Sequence, residues 1–161
     1  MKIGFTGIFP YLLSYTQSMD NKYNGLTRAF YVRIRENKKD DPSILQHELC
    51  HVRQWWTVSF IMLTLCALLD YRFNFIGVFI NNINEPYLHS SIALCFVTHQ
   101  ILYFFVDEFR FNMESRAYAV SAKMDLLNSV DRIEVYANNL SKYYRLNKTP
   151  QQCEQSIRSY L

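Results

Sequence analysis

The stretch Gln46 to Trp56, QHELCHVRQWW, holds the densest chemistry in the chain. His47 and His51 stand four apart, so on a helix both imidazoles project from one face, one turn from each other. Two rings so placed can share one cation at about 2.0–2.1 Å each, a distance that suits Zn2+. Glu48 lies beside them. Its carboxylate can take a proton from water held at that cation without being a ligand. His-Glu-x-x-His is the zinc-peptidase pattern, and the chemistry it implies is hydrolysis of a peptide bond. The competing reading is an ordinary helix carrying two accidental histidines.

A catalytic zinc takes three protein ligands and keeps one position for water. After His51 come Val52, Arg53, Gln54, Trp55 and Trp56, so no third histidine follows at the HExxHxxGxxH spacing. His89 and His99 are candidates inside an apolar segment. Glu114, in FNMESRAY just past that segment, is another, and carboxylate is a normal partner for two histidines. Tyr118 lies one turn after Glu114 on the same face. It can hydrogen-bond a ligand, donate to an oxyanion, or simply pack in the core. Gln54, three residues beyond His51, can line the cleft.

These side chains need elements to carry them. Residues 1–27, with Gly4, Gly7, Pro10 and the Asn24-Gly25 turn signal, read as irregular. Ala29–Arg35 is rich in strand formers and reads as a strand, usable as an edge for an extended peptide. Glu36–Asp41 reads as a charged loop. Asp41 as N-cap and Pro42 at the first turn start a helix that carries HELCH and meets no breaker until about Asp70. Tyr71–Asn84 is a connector, and Pro86 opens a second apolar segment, Tyr87–Val106. FRFNMESRAYAVSAKMDLL and Val130–Tyr144 read as helices, and Thr149-Pro150-Gln151-Gln152 is a capping box for a last helix to about Ser159.

The 161 residues suffice for one domain with a core, and 50% apolar with 16% aromatic content excludes disorder. A net charge of +3 without a basic run beyond Lys38-Lys39 argues against nucleic acid as a partner. Cys50, Cys66, Cys95 and Cys153 form no CxxC pair and read as reduced, small hydrophobes. The opening MKIGFTGIFPYLLSY, with one lysine and a broken apolar run, does not read as a signal peptide.

Two segments lack charge, fifteen residues from Trp55 to Leu69 and twenty-one from Pro86 to Val106. They fit either the core helices of a small helical domain or a membrane hairpin with aromatics at its ends. In the second case Arg53, Arg110, Arg116, Lys38 and Lys39 lie on the side of the metal motifs, with only Arg72 between the segments. The expected location is cytoplasmic if the helices are core, or membrane-associated with the zinc site facing the cytoplasm, the orientation that this asymmetry favours.

HELCHVRQWW followed by FRFNMESRAYAV resembles a family of small gluzincin-type metallopeptidases of bacteria and phages, whose pattern is HExxHxxQ and then Glu-x-x-Ala-Tyr. The approach through Asn24-Gly-Leu-Thr27 and Asp40-Asp41, and the close at Tyr143-Tyr-Arg-Leu-Asn, resemble it too. The similarity covers roughly residues 24–56 and 107–161. It implies His47, His51 and Glu114 as zinc ligands, Glu48 as base, and a peptide or protein as substrate. The fold it implies is mainly α (α+β), a single zincin-like domain over residues 1–161 with a short N-terminal sheet. An apolar helical hairpin insertion, about residues 55–106, departs from the family's compact linker. A non-catalytic zinc-binding or membrane accessory protein that keeps this fold is the alternative.

Overall fold

The computed structural model describes residues 1–20, 23–73, 86–144 and 146–161, of which 70–73 and 86–91 are described by their backbone alone. Four strands come first: β1 (Lys2–Thr6), β2 (Phe9–Thr16), β3 (Gly25–Arg28) and β4 (Tyr31–Arg35). Helices α1 (Pro42–Phe73), α2 (Pro86–Phe105), α3 (Asp107–Leu127), α4 (Ile133–Tyr143) and α5 (Pro150–Arg158) follow. The chain is mainly helical with one small sheet, an α+β architecture.

The irregular start expected over residues 1–27 is corrected: most of it is strand. Gly7, at φ 64°, makes the tight turn that pairs β1 with β2 antiparallel. Gly4 lies opposite Tyr11, and a Cβ there would sit 2.6 Å from the tyrosine ring. That glycine clears room for a cross-strand aromatic and does not break the strand. Pro10 is tolerated because pairing of β2 with β4 begins only at Leu12.

The sheet order is β1-β2-β4-β3, with β2 and β4 parallel and β3 antiparallel to β4. The strand expected over Ala29–Arg35 is therefore shorter and differently placed. Ala29, at φ 57°, turns the chain between β3 and β4. β4 is interior, and the free edge on that side belongs to β3.

Asp41 starts α1 as expected: its Oδ1 accepts from the Ser43 amide at 3.1 Å and from the Ser43 hydroxyl at 2.7 Å. The first half of α1 lies on the sheet, with Leu49 and Val52 against Leu13, Val32 and Ile34. The helix then continues through Phe73, about 48 Å in all. The rest of the expected connector lies outside the described residues. Val106, with extended backbone, separates α2 from α3, and the two helices meet at 98°.

A second core joins α3, α4 and α5 through Phe111, Ala119, Ala122, Ile133, Leu140, Cys153 and Ile157. α4 begins at Ile133 and not at Val130, because Val130 N–H still serves Asp125 in the turn closing α3, while Asp131 Oδ1 accepts from Ile133 N–H at 3.0 Å. The capping box at Thr149 is present in full. All four cysteines are free thiols.

Ile157→Ala removes a fully buried side chain from this second core and should lower stability by about 2–5 kcal/mol, against about 1 kcal/mol for the cap variant Thr149→Ala. Denaturant midpoints followed by far-UV circular dichroism measure both, and equal losses would contradict the packing described.

Candidate metal centre

α1 supplies two imidazoles and α3 supplies a carboxylate. His47 Nε2 and His51 Nε2 lie 3.3 Å apart. Glu114 completes a triangle, with Oε2 3.6 Å from His47 Nε2 and Oε1 3.5 Å from His51 Nε2. Bonds of about 2.0–2.1 Å meeting at the tetrahedral angle place their donor atoms about 3.3–3.4 Å apart, so the three atoms sit near the corners such an ion requires. Glu114 is 2% exposed, and its Oε2 has no hydrogen-bond partner among the described residues. A buried carboxylate oxygen left in that state calls for a cation. His47, His51 and Glu114 can hold a metal ion.

The surrounding hydrogen bonds fix this geometry. Gln54 Nε2 donates to the Met113 carbonyl at 2.9 Å, so its Oε1, 2.9 Å from His51 Nδ1, accepts the ring N–H. His51 is thereby held in the tautomer that leaves Nε2 free for metal. The same side chain pins the α3 backbone directly beside Glu114. Gln54 is thus a structural bridge and more than a cleft-lining residue. Ser121, two turns further along α3, donates to the Ser43 carbonyl at 3.0 Å and lies 3.5 Å from His47 Nδ1.

Tyr103, near the end of the second uncharged segment, donates its hydroxyl to Glu114 Oε1. The sharp bend at Val106 folds the end of α2 back over α3, which no spacing in the sequence reveals. His99, a candidate third ligand, is buried, stacks on Tyr103 at 6.2 Å and does not join the metal group among the described residues. The side chain of His89 lies outside the described residues. Tyr118 sets its ring edge against His47 at 4.6 Å between centroids. Burial raises its hydroxyl above the usual phenol range, and its ring also packs against Tyr144 at 6.3 Å between centroids. The arrangement gives Tyr118 a packing contact that steadies His47.

Glu48 is buried at the sheet side of the site. Its Oε2 accepts from Thr27 Oγ1 at 2.7 Å, and a Cβ on Gly25 would stand 2.4 Å from its Oε1. β3 thus grips the carboxylate from both oxygens' sides. The Asn24-Gly25 pair, read from sequence as a turn signal, marks a close approach of strand backbone to Glu48.

The electrostatics match a cation site. Burial disfavours the His51 imidazolium, but the Glu114 carboxylate outweighs it and pushes the ring up to about 9. Burial likewise opposes ionisation of Glu114, and the His51 and His47 rings nonetheless hold it well below the usual carboxylate range. Burial raises the nearby Cys50 thiol above its ordinary value.

The chain matches no family model, no curated protein and no solved structure.

The purified chain should take up one divalent transition-metal ion, and Glu114→Ala or His47→Ala should reduce stoichiometric uptake to background. Gln54→Ala should weaken affinity by about 10–100-fold while keeping the stoichiometry. Metal analysis after equilibrium dialysis distinguishes these outcomes, and unchanged affinity in Gln54→Ala would contradict its orienting role.

Proposed function

We propose that this protein is a zinc-dependent peptidase of gluzincin type with a zincin-like core. The observation that carries the reading is the convergence of Glu114 on His47 and His51 beside Glu48. Three protein ligands of nitrogen and oxygen type fit zinc and leave a fourth position for water or substrate. A structural zinc site is closed by four protein ligands, and among the described residues the cluster comprises three, which favours catalysis over the accessory alternative. When bound, zinc polarises a scissile carbonyl and acidifies water.

The chain's own groups do the rest. Glu48 accepts the proton from the attacking water and delivers it to the departing amine. Thr27 fixes the Glu48 carboxylate through Oε2, so the base is aimed before substrate arrives. Gln54 and Tyr103 hold His51 and Glu114 in place. β3 is the free edge beside Glu48, so an extended peptide can add to it by main-chain hydrogen bonds and lie across the metal position. This role passes to β3 from β4, which is enclosed.

Glu48→Gln should keep zinc and lose about 10²–10⁴-fold in peptide turnover. Gly25→Ala should also keep zinc but lose turnover, because the added methyl displaces the Glu48 carboxylate. Zinc analysis alongside cleavage of a mixed peptide library tests both. Zinc-loaded wild type without turnover, or Glu48→Gln with full turnover, would overturn the reading.

A further inference from the structure

Beyond Trp56 the two apolar helices invert the usual arrangement of a water-soluble pair. Their outward positions are large and apolar: Phe60, Ile61, Leu65, Leu68 and Leu69 on α1 are all exposed. On α2, Ile92, Leu94, Val97 and Ile101 are exposed too, and Phe104 and Phe105 reach 68% and 84%. The positions facing inward are small or polar: Ser59 is 0% exposed, Cys95 2% and His99 7%, with Cys66 Sγ 3.6 Å from Cys95 Sγ between the helices. An amphipathic helix in water does the reverse. Small and polar residues between helices with apolar residues outside are the pattern of helices packed in lipid.

The exposed hydroxyls behave accordingly. Thr64 Oγ1 donates to the Phe60 carbonyl at 2.8 Å and Thr98 Oγ1 to the Leu94 carbonyl at 2.7 Å, so each satisfies its donor within its own helix. The band carries no charge from Trp55 to Leu69 or from Pro86 to Val106. α2 has 20 residues, about 30 Å, the thickness of a bilayer's hydrocarbon core. Both tryptophans of the chain stand at one end of the band, with Arg53 and Arg110 just beyond it. The β1–β2 hairpin lies at the same end, where Phe9 stacks on Trp56, and Ile3, Phe5 and Ile8 are exposed beside it.

We propose that the α1–α2 hairpin is seated in a lipid bilayer, with the metal cluster at the level of the headgroups on the side of Arg53 and Arg110. His51 lies four residues before Trp55, about 6 Å along α1 from the edge of the band. Tyr103 links the two regions, since it belongs to α2 and donates to Glu114. The proposal stands on the hairpin alone and does not depend on peptidase activity.

The test uses the full chain and phosphatidylcholine–phosphatidylglycerol vesicles. The protein should float with vesicles through an alkaline carbonate wash. Its tryptophan fluorescence should be quenched more by lipid brominated near the headgroup end of the acyl chain than near the methyl end. The double substitution Ile61→Glu, Leu65→Glu should lower the vesicle-bound fraction at least about tenfold with the far-UV circular dichroism spectrum retained. Val135→Glu, at an exposed apolar position of α4, should leave it unchanged. If the double variant misfolds, flotation and quenching of the wild type decide. A chain that stays in detergent-free buffer and does not float overturns the proposal. In that case a monomer points to an ordinary water-facing hairpin, and a discrete oligomer points to a second copy covering the face.

Discussion

Everything at the centre of this molecule depends on a carboxylate buried against two imidazoles. Glu114 lies inside the protein, where an isolated charge would cost several kcal/mol, and it is retained because His47 and His51 face it from the neighbouring helix. The arrangement requires α3 to run along α1 at one register, and α3 packs along α1 more extensively than any other described element does. Gln54 and Ser121 tie the two helices together on either side of the cluster. A slip of either helix by one residue would rotate a ligand away by about 100°. The polar bridges and the metal triangle therefore specify the same packing.

The sheet and the hairpin approach this pair of helices from different sides with different tasks. β3 closes over Glu48, where the absence of a side chain at Gly25 and the hydroxyl of Thr27 set the carboxylate's position. Among the described residues, α2 reaches the cluster through its last turn, where Tyr103 meets Glu114. From Ile92 onward it packs with the second half of α1 and shows apolar side chains outward. One continuous helix, α1, thus joins the polar His47–His51–Glu114 cluster to an apolar hairpin, and Trp55 and Trp56 stand at the junction. Trp55 Nε1 donates to the Phe96 carbonyl and Trp56 Nε1 to the Pro10 carbonyl, so the junction is braced on both sides.

Much of this was legible in the sequence, and the reasons are physical. The helical period alone puts His47 and His51 on one face, and Asp41-Pro42 and Thr149-Pro150 announce their helix starts by chemistry that acts within four residues. Glu114 has no local signal. An exposed acid would look the same, and only the resemblance singled it out before the geometry brought it to the histidines. Residues 1–27 misled because Gly4, Gly7 and Pro10 are local breakers in general. Here they serve a ring contact, a turn and a position outside the β4 pairing. Tyr103 and Thr27 were invisible as site residues, since their contacts depend on the bend at Val106 and on the strand order. His99 looked like a ligand by type and lies in aromatic packing instead.

The central claim is that two imidazoles and one carboxylate share a single ion with a position left open. X-ray absorption at the zinc edge of the zinc-loaded chain addresses it directly. The expected first shell is nitrogen and oxygen only, about 2.0–2.1 Å from the metal, with two imidazoles resolved by their outer-shell scattering and one ligand exchangeable by a small anion. A sulfur scatterer at about 2.3 Å, bringing Cys50 or another thiol into the site, or a shell of four protein ligands closed to exchange, would contradict the account.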